Sequence, residues 1–192
     1  MARDRINIEW KGRLTDRGPS LDALTEQLQQ CVSESASDER GYRDGGSMKQ
    51  VDTYFRVTDS RLKLREIDGK TTELIWYRRD NNDGTRSCVY RRLAVSDPRL
   101  VTDGLRVTLG IETQVVKVRR LFWWRGVRLH LDRVQDLGDF IEFEAVLGPD
   151  ETQESGHERL SLLLDRFELD QSAAIATSYR ALMLEHESSV RD

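Results

Sequence analysis

The chain has 192 residues, a formal net charge of -4 and 33% ionisable side chains. That length suits a single domain, spanning 1–192, whose core needs no disulfide or metal staples. The acidic balance excludes a bulk nucleic-acid binder, which would normally be basic.

Ile6 to Lys11 alternates apolar and polar residues and predicts a strand. Ser20 to Val32 follows with Leu21, Leu24, Leu28 and Cys31/Val32 at helical spacing, and Pro19-Ser20 forms a start signal. Ser33 to Ser47 is rich in Ser, Gly, Asp and Arg without a period and reads as a mobile loop. Strands are expected over about 49–57, 61–67, 72–79 and 86–95. The segments Asp59-Ser60, Asp68-Gly69-Lys70 and Asn81-Asn82-Asp83-Gly84 separate them, and such short links favour antiparallel hairpins. A helix over about 98–109 ends at Gly110, and strands over about 112–123, 126–135 and 139–147 come next. The tail, about 150–187, reads as two helices. This order predicts an α+β fold in which eight antiparallel strands close a barrel and the helices pack outside.

Successive side chains of a strand point to opposite faces. Leu62-Lys63-Leu64-Arg65, Val116-Lys117-Val118-Arg119, Val127 to Asp132 and Phe140 to Glu144 therefore each carry one apolar and one ionised face. A single such strand reads as a solvated face over a core. Recurrence over five strands places the charges inside a barrel instead. The apolar set Leu62/Leu64, Val116/Val118, Leu129/Leu131 and Ile141/Phe143 then packs under the helices.

Inside, Glu9, Asp132, Glu142 and Glu144 form an acidic set of hard oxygen ligands suited to Mg²⁺ or Mn²⁺. Lys11, Lys63, Arg65, Arg79, Lys117, Arg119 and Arg128 form a basic set for phosphates. Truncating Arg65 or Arg119 is expected to leave the fold intact or to stabilise it by relieving like-charge crowding. His130 shares the face of Arg128 and Asp132 and reads either as a phosphate contact or as a structural hydrogen-bonding group. The four tryptophans read as core or barrel-cover residues.

Asn7-Ile8-Glu9-Trp10-Lys11 resembles the ExExK signature of the CYTH, or triphosphate tunnel, superfamily. Gln50 to Phe55, Arg61 to Glu66, Leu74 to Asp80, Val116 to Phe122, Arg128 to Asp132 and Leu137 to Glu144 are similar to further family segments, in family order. The wording is most similar to the class IV adenylate cyclase branch. The resemblance implies a tunnel that converts ATP to cyclic AMP and pyrophosphate, with a hydrolase of inorganic, thiamine or nucleoside triphosphate as one rival and a non-catalytic nucleotide-binding module as another. It further implies metal ligation by Glu9, Asp132, Glu142 and Glu144. Catalytic roles would fall to Glu9, Lys11, Glu142 and Glu144, and triphosphate binding to Lys11, Lys63, Arg65, Arg79, Lys117, Arg119, Arg128 and His130. Asn7 stands where the signature has its first Glu, a metal-ligand position that here brings no charge.

Cys31 and Cys88 form no CxxC pattern and read as reduced thiols. The first residues lack a signal-peptide stretch, and no run approaches the ~20 apolar residues of a membrane span. The expectation is a cytoplasmic monomer or homodimer with no nucleic-acid or membrane partner.

Overall fold

The computed structural model describes residues 5–15, 18–35, 38, 41–79 and 86–190, and their side chains except those of residues 5, 79 and 86–88. Eight strands, β1 (Arg5–Arg13), β2 (Arg43–Phe55), β3 (Arg61–Ile67), β4 (Thr71–Arg79), β5 (Arg86–Ala94), β6 (Ile111–Trp124), β7 (Val127–Val134) and β8 (Gly138–Val146), close a barrel in the order β1-β5-β4-β3-β2-β6-β7-β8. Every pairing is antiparallel. The helices are α1 (Leu21–Glu34), α2 (Pro98–Leu109), α3 (Gln153–Arg166) and α4 (Tyr179–Ser189), with a 3₁₀ turn at Gln171–Ala173.

Local chemistry explains most boundaries. Each α-helix starts on a Ser, Asp or Thr whose side-chain oxygen accepts the N–H three residues on: Ser20, Asp97, Thr152 and Ser178. The β3–β4 link has positive φ at Asp68 and Gly69, and the β6–β7 link at Arg125 and Gly126. Two consecutive positive φ values are the backbone of the tight turns that match strand twist. The Asn81 to Gly84 turn lies outside the described residues.

The expected loop over 33–47 is corrected at both ends: α1 runs to Glu34 and β2 begins at Arg43. Sequence periodicity misses the strand because Gly45 and Gly46 sit at a register shift against β6. A Cβ on Gly45 would lie 2.7 Å from Leu121 Cγ, so the residue that looks like a loop-former is what permits the pairing.

The main core lies outside the barrel wall. Ile8 and Trp10 of β1, Leu129 and Leu131 of β7, and Ile141 and Phe143 of β8 pack against Leu24 and Leu28 of α1 and Leu160, Leu163 and Leu164 of α3. At ~1.5–3 kcal/mol for each large side chain fully buried, this layer is the dominant stabilising term of the helix-covered half. The helical cover is partial. Leu64 is buried, but Val118 is 49% exposed, which corrects the expectation that it packs under a helix. The reason is placement: α1 and α3 cover β1, β7 and β8, and Val118 belongs to none of the core clusters.

A smaller cluster joins α4 to the barrel: Tyr54, Val115, Val134 and Phe140 with Tyr179 and Met183. The chain before α4 is tied to β1 by a bridge between Gly12 and Ala174 and by Ile175 N–H donating to the Lys11 carbonyl at 2.7 Å. Tyr179, the first residue of α4, is thereby brought to the barrel interior.

Candidate active site

The inner faces enclose a cavity of about 620 Å³. Lys11, Lys63, Arg65, Lys117, Arg119, Arg128, His130, Glu9, Glu142, Glu144 and Asn7 all line it, so alternation brings these candidates together. Arg79 ends β4, and its side chain lies outside the described part.

On one side Asp52 organises the cations. It is directly opposite Arg65 in the β2–β3 register. Arg65 donates Nε and Nη2 to its two carboxylate oxygens at 2.6 and 2.7 Å, Lys63 Nζ donates at 2.9 Å, and Lys117 Nζ lies 3.7 Å away. Asp132, opposite Arg119 in the β6–β7 register, repeats the arrangement. Arg119 gives it Nε at 2.6 Å and Nη2 at 2.5 Å, and the Tyr179 hydroxyl donates to Oδ2 at 2.9 Å. Arg65 and Arg119 are each in a bidentate pair with a buried carboxylate, while Arg119 still acts against the charges of Lys117 and Arg65. Asp132 has both oxygens engaged and is absent from the cavity lining, unlike the other acidic candidates. Each arginine still has N–H donors for a phosphate, because a guanidinium carries five.

On the other side stand Glu142 and Glu144, two apart on β8 and so on one face. Arg119 Nη2 lies 3.1 Å from Glu142 Oε2, and Arg128 Nη2 lies 2.8 Å from Glu144 Oε2. His130 Nδ1 lies 3.5 Å from Glu142 and 3.9 Å from Glu144. The ligand atoms of His130, Glu142 and Glu144 all fall within 4.8 Å of one another, close enough for a common metal ion. Glu9 lines the same cavity, opposite Glu144 in register, and is buried. With its amide oriented to satisfy its neighbours, Asn7 accepts from Arg128 Nη2 at 2.8 Å and donates to the Ile6 carbonyl at 3.3 Å.

Burial penalises every charge here, and pairing decides the outcome. Burial opposes ionisation of Asp52, but Arg65, Lys63 and Lys117 outweigh it and hold the carboxyl well below its usual range. Asp132 is brought to about 2 against burial by Arg119 and Lys117. Glu142 and Glu144 are likewise kept ionised against burial, Glu142 by His130 and Arg119, Glu144 by Arg128 and His130. Lys117 goes the other way: burial and the neighbouring Arg119 bring its ammonium down to about 7. Burial and Arg119 also lower His130.

Two functional-site residues escaped the sequence reading. Asp52 lay in a quoted motif, and its inward parity with Tyr54 was the available signal. Tyr179 comes from a helix, where strand parity gives no information; its ring lies 4.5 Å from Lys11 Nζ and 5.0 Å from Lys117 Nζ. The tryptophans divide: Trp10 is buried in the outer core and Trp124 packs against that core and stacks on Tyr42, as expected, whereas Trp76 is 38% exposed and Trp123 lines the cavity. Met48, Leu121, Val146 and Leu147 share that lining.

A closed eight-stranded barrel with opposed basic and acidic inner faces defines the triphosphate tunnel class of domain. The family model described as the CYTH domain matches residues 21–179, and the chain belongs to that family. Among solved structures, the PH1012 protein of Pyrococcus horikoshii OT3 is similar at 19% identity and a TM-score of 0.69, over 91% of this chain and 97% of that one. A Vibrio parahaemolyticus protein with the provisional name adenylate cyclase is similar at 19% identity and a TM-score of 0.68, over 97% and 99%. A Bacillus halodurans protein with the same provisional name is similar at 19% identity and a TM-score of 0.56, over 94% and 97%. At these identities the likeness is one of fold. A search among curated proteins gives no match. Among the described residues, no helix is long and apolar enough to cross a membrane.

Proposed function

We propose that this protein is a metal-dependent triphosphate-processing enzyme of the adenylate cyclase type, acting on ATP. The observation that carries the reading is the convergence of Lys63, Arg65, Lys117 and Arg119 with Glu9, Glu142 and Glu144 on one cavity inside the barrel. A solvated face would not need Asp52 and Asp132 buried beneath it to orient the cations. The donors fit a cation as well, since the Glu142 and Glu144 carboxylates and a buried His130 nitrogen without a hydrogen-bond partner share one spot.

In this reading Lys63, Arg65, Lys117 and Arg119 grip the triphosphate oxygens, and Lys11 and Arg128 extend the grip toward β8. A divalent ion held by Glu142 and Glu144, with Glu9 alongside, would supply charge neutralisation at the phosphates. The ribose 3′ hydroxyl attacks the α-phosphorus and releases its proton to solvent as the bond to the bridging oxygen breaks, and pyrophosphate leaves with its charge held by the same cations. Preorganised cations aimed at developing charge supply most of the rate in such chemistry. Trp123, Leu121, Met48 and Leu147 offer apolar surface for an organic group beyond the phosphates, which favours a nucleotide over inorganic triphosphate. The provisional name of the Vibrio structure supports the same choice.

The test incubates purified protein with Mg²⁺ or Mn²⁺ and, separately, ATP, tripolyphosphate and thiamine triphosphate, followed by product identification. Cyclic AMP with pyrophosphate is the expected result. Orthophosphate release would assign the cradle to a hydrolase instead.

A further inference from the structure

We infer that Gln50 is a specificity-determining residue whose side-chain amide hydrogen-bonds the 6-amino edge of an adenine base seated against Met48, Leu121 and Trp123. The inference rests on the triphosphate reading and extends it from the phosphates to the base.

Gln50 precedes Asp52 by two residues on β2, shares its inward face and lines the cavity. It is opposite Lys117 in the β2–β6 register and Ile67 in the β2–β3 register. The residue is only 3% exposed, yet its Oε1 has no hydrogen-bond partner among the described residues. Its Nε2 donates to Met48 Sδ at 3.2 Å, and a thioether is a weak acceptor. A buried amide oxygen without a donor is costly, and a ligand that brings a donor removes the cost.

Two features of the site select that donor. Ionised phosphate oxygens only accept, so the triphosphate beside Lys117 cannot satisfy Oε1, and the donor must come from the organic part of the ligand. The amide also faces the apolar end of the cavity. Met48 is opposite Arg119, and Leu121 and Trp123 follow Arg119 on the same inner face, so the Met48 contact turns Gln50 away from Asp52 and toward this surface. A ribose ringed by hydroxyls gains little from a thioether, a leucine and an indole, whereas a flat base stacks on an aromatic side chain. The carboxamide beside them presents one acceptor and one donor, the pair that matches adenine's amino group and its adjacent ring nitrogen. Exchanging the Met48 sulfur for that nitrogen gives Nε2 a stronger acceptor.

The experiment is calorimetry at fixed Mg²⁺ with three ligands: α,β-methylene-ATP, whose carbon bridge blocks loss of pyrophosphate, the same compound with hydrogen in place of the 6-amino group, and tripolyphosphate. The unaltered protein should bind the ATP analogue about tenfold more tightly than the compound lacking the amino group, the size of a hydrogen bond made to a buried partner. Gln50→Leu, and Gln50→Met as a second variant should leucine disturb the packing, should bring the two nucleotides within about twofold of each other and leave tripolyphosphate affinity within about twofold of the unaltered value. The thermal midpoint of the unliganded variants should be equal or higher, since each removes the unpaired amide. Equal affinities of the unaltered protein for the two nucleotides, or discrimination that survives both variants, would overturn the inference. So would a loss equal for both nucleotides, which places the contact on the ribose. Those results leave the triphosphate reading standing wherever tripolyphosphate and the ATP analogue bind; binding of none of the three ligands would remove that reading and this inference together.

Discussion

Replacing Asp52 by Asn keeps the shape of the side chain and removes the charge that holds three cations. Asp52 is 1% exposed and accepts two hydrogen bonds from Arg65 and one from Lys63, with Lys117 3.7 Å away. Removing one partner of a buried ion pair costs about 3–5 kcal/mol, because the other is left uncompensated. Lys63 and Arg65 border a cavity that water can enter, so the lower end, about 3 kcal/mol, is the better figure. For a chain of this length a kcal/mol moves the midpoint by about 2–4 °C, which predicts a fall of roughly 6–12 °C. The comparison is Asp139→Asn, whose partner Arg133 is 57% exposed and whose loss should cost under about 1 kcal/mol. The assay is thermal unfolding at neutral pH with and without millimolar tripolyphosphate, which supplies the missing negative charge and should recover a larger share of the loss in Asp52→Asn than in Asp139→Asn. Equal midpoints for the two variants, or no differential recovery, would refute the view that Asp52 braces an anion-binding face.

Glu142→Gln and Glu144→Gln should each lower turnover at least ~100-fold, the size of effect for a lost catalytic electrostatic group, and excess chelator should abolish activity of the unaltered enzyme; steady-state kinetics checks both. Asn7→Glu should compete with Glu144 for Arg128, release a carboxylate toward the metal and lower the half-saturating metal concentration, measured by titrating activity. Lys117 is half-charged near pH 7 in the free protein, and a bound triphosphate would raise its pKa, so binding should take up a proton and weaken as pH rises above about 7. Calorimetry in two buffers of different ionisation enthalpy measures that uptake. The same depressed pKa means that between about 7 and the ordinary 10.5 the unfolded chain holds more protons at this position, so Lys117's contribution to stability improves as pH rises through that window. Asp132 has the same sign of slope in its own window: its contribution is present above the ordinary 3.8 and is lost as pH falls toward about 2.

The barrel was legible because strand parity is local. Lys63 with Arg65 and Lys117 with Arg119 announce an ionised face in four residues, and the family segments order those faces along the chain. What parity cannot supply is which outer faces the helices reach. Val118 has the same pattern as Leu129, yet Leu129 is fully buried beneath helices and Val118 is half exposed. Nor can it supply residues that arrive from non-strand elements. Tyr179 reaches Asp132 only because the Ala174–Ile175 segment is pinned to β1, a contact spanning more than 160 positions of chain. Asp52 was overlooked for another reason: an acid among cations reads as a possible metal ligand or as nothing, and only the distances to Arg65 and Lys63 identify a brace.

The most direct measurement is the thermal midpoint of the unaltered protein during titration with tripolyphosphate at fixed Mg²⁺ or Mn²⁺. A ligand that binds the folded state at a hundred times its dissociation constant adds about 2.7 kcal/mol, and at about 2–4 °C per kcal/mol the midpoint should climb by roughly 5–11 °C, with the gain reduced in Arg65→Ala and Arg119→Ala. No shift at millimolar tripolyphosphate, or the same shift in both arginine variants, would contradict a triphosphate site on the inner face of the barrel.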